Sequence, residues 1–185
     1  RGGTANCTVK YSNDGYIYNP SPETPDLLLA MNEPSLIKFL PTVSPGGTVL
    51  IGDTVEIPEG ARQDVTYVKV NCTEIATSLG NPKGANIVMT GAIIKLMGDF
   101  THDAAVAAMN HMFAKKGKSK FNESNARAFD AGFNADNLIF DKFSFLLDKR
   151  RSIVSAIAGT MLLLFYHYLQ LFLKFYLADT PHRRN

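Results

Sequence analysis

Apolar residues in this 185-residue chain come in short blocks separated by turn signals. Residues 8–11 form a brief β-prone run. Asn13-Asp14-Gly15 then marks a turn, because Asn and Gly tolerate positive φ. Ile17 and Tyr18 resume an extended pattern, and Pro20, Pro22 and Pro25 make a stiff, non-helical connector. The block Asp26-Leu27-Leu28-Leu29-Ala30-Met31 is apolar without alternation and stops at Asn32. A run this short with no polar face predicts a parallel strand covered on both sides. Residues 33–40 predict a short helix, with Asn32 as its cap, Pro34 near its first position, and Leu36, Ile37 and Leu40 as its apolar stripe.

Pro45-Gly46-Gly47 breaks the chain, and residues 48–51 predict a second buried strand closed by Gly52. Residues 65–70 read as a less regular strand. Helices are predicted over 73–79, stopped by Gly80 and Asn81-Pro82, and over 87–97, weakened by Gly91. Two more follow: 103–115, with Thr101 as cap, and 121–129, ending before Gly132. Strands that alternate with helices and then give way to them predict an α/β fold. The expected form is an open Rossmann-like layered domain, with a mostly parallel sheet flanked by helices.

Charge divides the chain in two. Residues 1–140 carry 12 Lys and Arg against 14 Asp and Glu, whereas residues 141–185 carry 7 against 3. Within that basic tail, residues 152–173 hold no charged side chain, with Lys149-Arg150-Arg151 before them and Lys174 after. As one helix these 22 residues would rise about 33 Å, against a hydrocarbon core of roughly 30 Å. The division predicted is a body over 1–140 and a hydrophobic helical tail over 141–185, with membrane association through 152–173 as an option. His167 and Gln170 in a span cost free energy unless they pair or lie at an interface.

Composition narrows the chemistry. A net charge of +2 gives no electrostatic case for a nucleic-acid partner. Two cysteines make neither a disulfide scaffold nor a closed Cys-only zinc site. Cys7 and Cys72 read as buried or half-buried thiols, with a disulfide or a reactive thiol as the other options. The sequence holds no Gly-x-Gly-x-x-Gly, no Walker-type phosphate loop and no His-Glu-x-x-His. His102 and His111 are nine residues apart, off ligand spacing on a helix, and read as solvated or partly packed. Lys115-Lys116-Gly117-Lys118-Ser119-Lys120 reads as a solvated linker, or else as a docking patch for an acidic partner. Arg1-Gly2-Gly3 with Asn6 is more suggestive. Two glycines let backbone N–H groups approach a ligand closely, and an arginine fork suits phosphate or carboxylate; a tight turn is the plainer alternative.

Arg1-Gly2-Gly3-Thr4-Ala5-Asn6-Cys7-Thr8-Val9 resembles the Arg-Gly-Gly segment of the γ subunit, or γ domain, of 2-oxoacid:ferredoxin oxidoreductases of the pyruvate, 2-oxoglutarate and ketoisovalerate type. The resemblance continues in order. Residues 25–36 are similar to that family's strand–Asn–helix segment, and residues 45–51 to its next turn and strand. Residues 73–76 and 80–92 are similar to its helix and Asn-containing segment, and residues 125–132 to its closing helix. The resemblance covers about residues 1–133. The family's opening strand, Gly-rich turn and helix have no counterpart here, which predicts a sheet short of one strand; the tail after 140 has none in the γ domain either.

The resemblance implies a non-catalytic role in a cytoplasmic assembly. Such assemblies decarboxylate a 2-oxoacid on thiamine diphosphate, form an acyl-CoA, and pass electrons through iron–sulfur clusters to ferredoxin. It implies that this chain binds no cofactor alone; α, β and ferredoxin-like partner subunits carry thiamine diphosphate and the clusters. It also implies that Arg1, Gly2, Gly3 and Asn6 line the substrate or CoA side, or the interface, with Asn86 near them. No residue is assigned a catalytic or metal-binding role. A different reading is a membrane-anchored, non-enzymatic extracellular domain. It would use Asn6, Asn71 and Asn122, each in an Asn-x-Ser/Thr triplet, for glycans, together with a Cys7–Cys72 disulfide. A stand-alone dinucleotide binder lacks its phosphate loop.

Overall fold

In a computed structural model, residues 4–12, 17, 24–135 and 150–156 are described. The predicted turn at 13–15 and the proline connector before Pro25 lie outside them. The elements run β1 (Asn6–Ser12), β2 (Leu27–Ala30), α1 (Glu33–Phe39), β3 (Thr48–Gly52), β4 (Thr66–Val70), α2 (Cys72–Ser78), α3 (Ala85–Met97), α4 (His102–Lys115), α5 (Asn122–Phe133) and β5 (Arg150–Ala156). The sheet order is β1-β5-β2-β3-β4. β2, β3 and β4 form a parallel trio, and β5 is parallel to β2, with Leu27 opposite Ile153 and Ala30 opposite Ala156. β1 runs antiparallel to β5, from Asn6 opposite Ala156 to Ser12 opposite Arg150.

The unbroken apolar runs behave as predicted: β2 and β3 are buried throughout. Their side chains alternate between two cores. Leu27, Leu29 and Leu50 join Val68 and Val70 of β4 under α2–α5. Leu28, Ala30, Val49 and Ile51 face the other way, under Leu36 and Leu40 and against Val55 and Val65 of the β3–β4 connection. β4 is an edge strand, so its outward positions are polar, and Lys69 pairs there with Glu56 at 3.1 Å.

Local chemistry sets the helix starts. The Asn32 side chain accepts from the Ser35 amide at 2.8 Å, and that of Thr101 from the Ala104 amide at 3.3 Å, as the sequence predicted for both caps. The stop after α2 also holds: Gly80 takes φ +70°, a conformation that costs a glycine nothing.

Two expectations need correction. Gly132 does not stand beyond α5 but within its last turn, and Gly91 is not merely a weak point of α3. A Cβ on Gly91 would collide with the Phe129 carbonyl oxygen and lie 2.7 Å from the Phe133 amide nitrogen; one on Gly132 would collide with the Val88 carbonyl oxygen. The two helices thus cross backbone to backbone, each glycine making room for the other helix.

The second correction concerns the tail. A continuous helix over 152–173 is not formed, because residues 152–156 belong to β5. The β-branched pair Ile153-Val154 suits a strand, and the β2 edge offers backbone partners that a helix could not use. The described part of the tail is therefore a strand of the body's own sheet, which has five among the described residues. Residues 157–173 lie outside the described residues. Among the described residues, no helix is long and apolar enough to cross a membrane.

Gly91→Ala and Gly132→Ala should each destabilise the chain by about 1–3 kcal/mol or more, although alanine is the better helix former. Denaturant midpoints would check this; a gain in stability in either variant would show that the helices can part without cost.

Candidate functional site: the carboxyl edge of the sheet

Strand direction decides where the predicted residues lie. In open α/β sheets, ligands bind beyond the carboxyl ends of the parallel strands. β1 runs against that direction, so its first residue, Asn6, pairs with Ala156 at the end of β5, which in turn pairs with Ala30 at the end of β2. Exposed Asn6 thus stands at the carboxyl edge, and the chain before it leads onto that edge. Arg1, Gly2 and Gly3 themselves lie outside the described residues. Asn86 is elsewhere in the chain's layout, in the first turn of α3; its carbonyl accepts from the Thr90 hydroxyl at 2.8 Å. Among the described residues, no hydrogen bond joins Asn86 to Asn6.

Other polar residues meet at the edge. Lys38, in the last turn of α1, donates from Nζ to the Thr4 hydroxyl at 3.0 Å and lies 5.2 Å from the Phe39 ring centre. Asp53 follows β3 and serves the helix after β4: its carboxylate accepts from the Thr73 amide at 3.1 Å and the Glu74 amide at 3.1 Å. The N-cap residue of α2, Asn71, makes no such bond, so Asp53 caps that helix from another strand. Burial alone would raise the Asp53 pKa, but the hydrogen bonds from Thr73, Glu74 and Cys72 outweigh it and hold the pKa below the usual carboxylate value.

These caps limit what the edge can do. α1 and α2 both start at this end of the sheet, and a free helix N-terminus there would attract anions. Both are already filled, by Asn32 and Asp53. An anion at the edge would therefore have to be met by side-chain cations, and Lys38 is one in place. Cys72 is unsuited to nucleophilic work: burial, and secondarily the charge of Asp53, push its thiol pKa up to about 11. The Cys7–Cys72 disulfide is not formed. Two thiols are also too few for a four-cysteine cluster. Among the described residues, no group of three or more His, Cys, Asp or Glu is placed to hold a metal ion.

A second polar cluster joins α4 to α5. His102 meets Asp130 through Nε2 at 2.6 Å and Asp103 through Nδ1 at 3.0 Å. Its ring stands edge-on to Phe129 and Phe133, and Lys95 lies 4.7 Å over the Phe133 ring centre. Two carboxylates facing both ring nitrogens favour the doubly protonated imidazolium. The hydrogen bonds to Asp103 and then Asp130 raise the His102 pKa against a smaller effect of burial.

Asp53 and Lys38 escape sequence reasoning because their partners are distant: Thr73 is 20 residues from Asp53, and Thr4 is 34 residues from Lys38. No local pattern marks either.

Fold and edge together define a class: an open α/β domain presenting hydrogen-bonding and cationic groups beyond its parallel strands. A family model described as pyruvate ferredoxin/flavodoxin oxidoreductase matches residues 1–135, and the chain belongs to that family. It is 35% identical over 133 residues to the ketoisovalerate oxidoreductase subunit VorA of Methanothermobacter thermautotrophicus, covering 71% of this chain and 27% of that protein. It is 29% identical to the 2-oxoglutarate synthase subunit KorC of Methanothermobacter marburgensis, covering 71% of this chain and 72% of that one. The chain thus spans about a quarter of the VorA relatives it matches. In fold it is similar to the γ subunit of a keto/oxoacid ferredoxin oxidoreductase from Geobacter sulfurreducens, with a TM-score of 0.54 at 22% identity, covering 74% of this chain and 79% of that one. The 2-oxoglutarate:ferredoxin oxidoreductase of Magnetococcus marinus, solved with 2-oxoglutarate, coenzyme A and succinyl-CoA bound, gives a TM-score of 0.55 at 18% identity, covering 70% of this chain and 25% of that one.

Two pH effects follow, of opposite sign. Asp53→Ala should cost about 1 kcal/mol at neutral pH. Because the Asp53 pKa is lowered on folding, that difference should persist above about pH 4 and fade as pH drops through the folded value. The His102 pKa is raised, so its contribution is complete below about pH 6.5 and is lost as pH rises through the folded value. Melting temperatures of wild type and His102→Gln should accordingly diverge most in mild acid and converge toward alkaline pH. A gap that widened with rising pH would contradict the assigned protonation.

Proposed function

We propose that the chain is the γ-type module of a 2-oxoacid:ferredoxin oxidoreductase, non-catalytic by itself. The assembly carries out the oxidative decarboxylation of a 2-oxoacid to an acyl-CoA and passes the electrons to ferredoxin. Its α, β and ferredoxin-like subunits hold the thiamine diphosphate and the iron–sulfur clusters. The observation that carries this reading is the family match over residues 1–135, on a fold shared with a γ subunit along 79% of that subunit. The relatives are named as subunits of a ketoisovalerate oxidoreductase and a 2-oxoglutarate synthase, so the substrate proposed is a branched-chain 2-oxoacid or 2-oxoglutarate. We place the assembly in the cytoplasm.

Within it, the carboxyl edge is the face toward substrate or CoA. Arg1, Gly2 and Gly3 supply a cationic fork on a backbone able to approach a ligand, and Asn6 supplies hydrogen bonds; Asn86, in the first turn of α3, is not part of this edge. CoA is a polyanion, and with both helix N-termini at this edge already capped, its phosphates need arginine and lysine. The extracellular reading loses its Cys7–Cys72 disulfide, which is not formed.

The chain should co-purify with thiamine- and cluster-bearing subunits. In the reconstituted complex, Arg1→Ala should raise the KM for CoA about tenfold with little change in kcat, the signature of lost ground-state binding. An unchanged KM together with unchanged turnover would remove the edge from the binding site.

A further inference from the structure

β1 carries the approach to the carboxyl edge, yet it touches none of the parallel trio through the sheet. Among the described residues it is the outermost strand, and its backbone ladder there runs to β5 alone, along seven consecutive pairs. β5 in turn is laddered to β2 along four pairs, with Ala156 level with both Asn6 and Ala30. Among the described residues, the ladder that ties β1 into the sheet therefore runs through residues 150–156, which composition alone assigns to a separate tail. Beside that ladder, the region is anchored by the buried Val9 side chain, by Cys7 packed against the same core, and by the Lys38–Thr4 hydrogen bond.

We propose that Arg150–Ala156 is a positioning element of the ligand-facing edge. Inserted between β1 and β2 of its own chain, it fixes the height and direction of Asn6 at that edge. The inference rests on the reading of that edge as the CoA side. Its physical basis is register. The side-chain period of a strand is two, so a slip of one residue between β1 and β5 would turn the whole face of β1 over. A slip would also carry Asn6 along the strand by roughly 3.4 Å, more than a ligand contact tolerates. The seven-pair ladder resists both displacements.

The native thiol of Cys7 makes the register testable with one substitution, because Cys7 lies opposite Ser155. Opposed Cα atoms in an antiparallel pair are about 4.5–5.5 Å apart, within disulfide range. Mild oxidation of the full chain carrying Ser155→Cys should join Cys7 to the introduced thiol within one chain, read by peptide mapping and non-reducing electrophoresis. Val154→Cys, one position over and on the opposite face, should not form that bond. A bond between two chains, or no bond with Ser155→Cys, overturns the proposal.

Function is read in the complex reconstituted with its partner subunits. Ile153→Pro removes a backbone donor from β5 at the residue paired with both Val9 and Leu27, and should raise the KM for CoA about tenfold at a kcat within about twofold. Adding Ser155→Cys to that variant and oxidising it should bring the KM back, which a general loss of folding would not allow. If Arg1→Ala raises the KM and Ile153→Pro does not, the coupling fails while the edge stands. If neither raises it, the edge reading fails and takes the coupling with it.

Discussion

The fold turns on the complete burial of β2. Its four residues are covered above and below, so none of its backbone groups reaches water. A buried amide or carbonyl without a partner costs about 1–3 kcal/mol, and a strand has such groups along both edges. β2 therefore requires a ladder on each side. β3 supplies one and β5 the other. The same demand explains why a segment that composition sets apart is drawn into the middle of the sheet, and why β1 is held at one remove.

Helix packing follows from the sheet. One face of β2, β3 and β4 presents Leu27, Leu29, Leu50, Val68 and Val70 to a layer led by α3. α3 is buried along most of its length and has no polar side broad enough to face water, so it needs cover opposite the sheet. α5 gives that cover at the closest range two helices allow, through Gly91 and Gly132. α4 closes the layer with Ala105, Met109, Met112 and Phe113, and the His102–Asp130 pair fixes it to α5.

Much of this was legible in the sequence wherever a signal was local. The runs 27–30 and 48–52 lack alternation because both of their faces are buried. Asn32 and Thr101 sit where a capping side chain must sit. The unreadable parts share one cause: they depend on contacts between distant segments. Ile153-Val154 followed by more apolar residues has the composition of a helix onset, and only the open edge of β2 makes it a strand. Gly132 resembles a helix stop until α3 is laid across it. Asp53 is one acid after a strand until α2 brings its amides within reach. For the site, the Arg-Gly-Gly segment and Asn6 stood out as residues, but their address did not. That address required the order and direction of the strands, which no single segment encodes.

The crossing of α3 and α5 has a further consequence for how the sequence can change over time. Where two large side chains meet, an enlargement on one helix can be offset by trimming the other. Here each glycine abuts main-chain atoms, Phe129 and Phe133 on one side and Val88 on the other, and a main chain has nothing to trim. Compensation inside the pair is closed off, so drift at either position can be rescued only by moving a whole helix. Positions 91 and 132 are thus expected to change rarely and independently of one another, although they are neighbours in space.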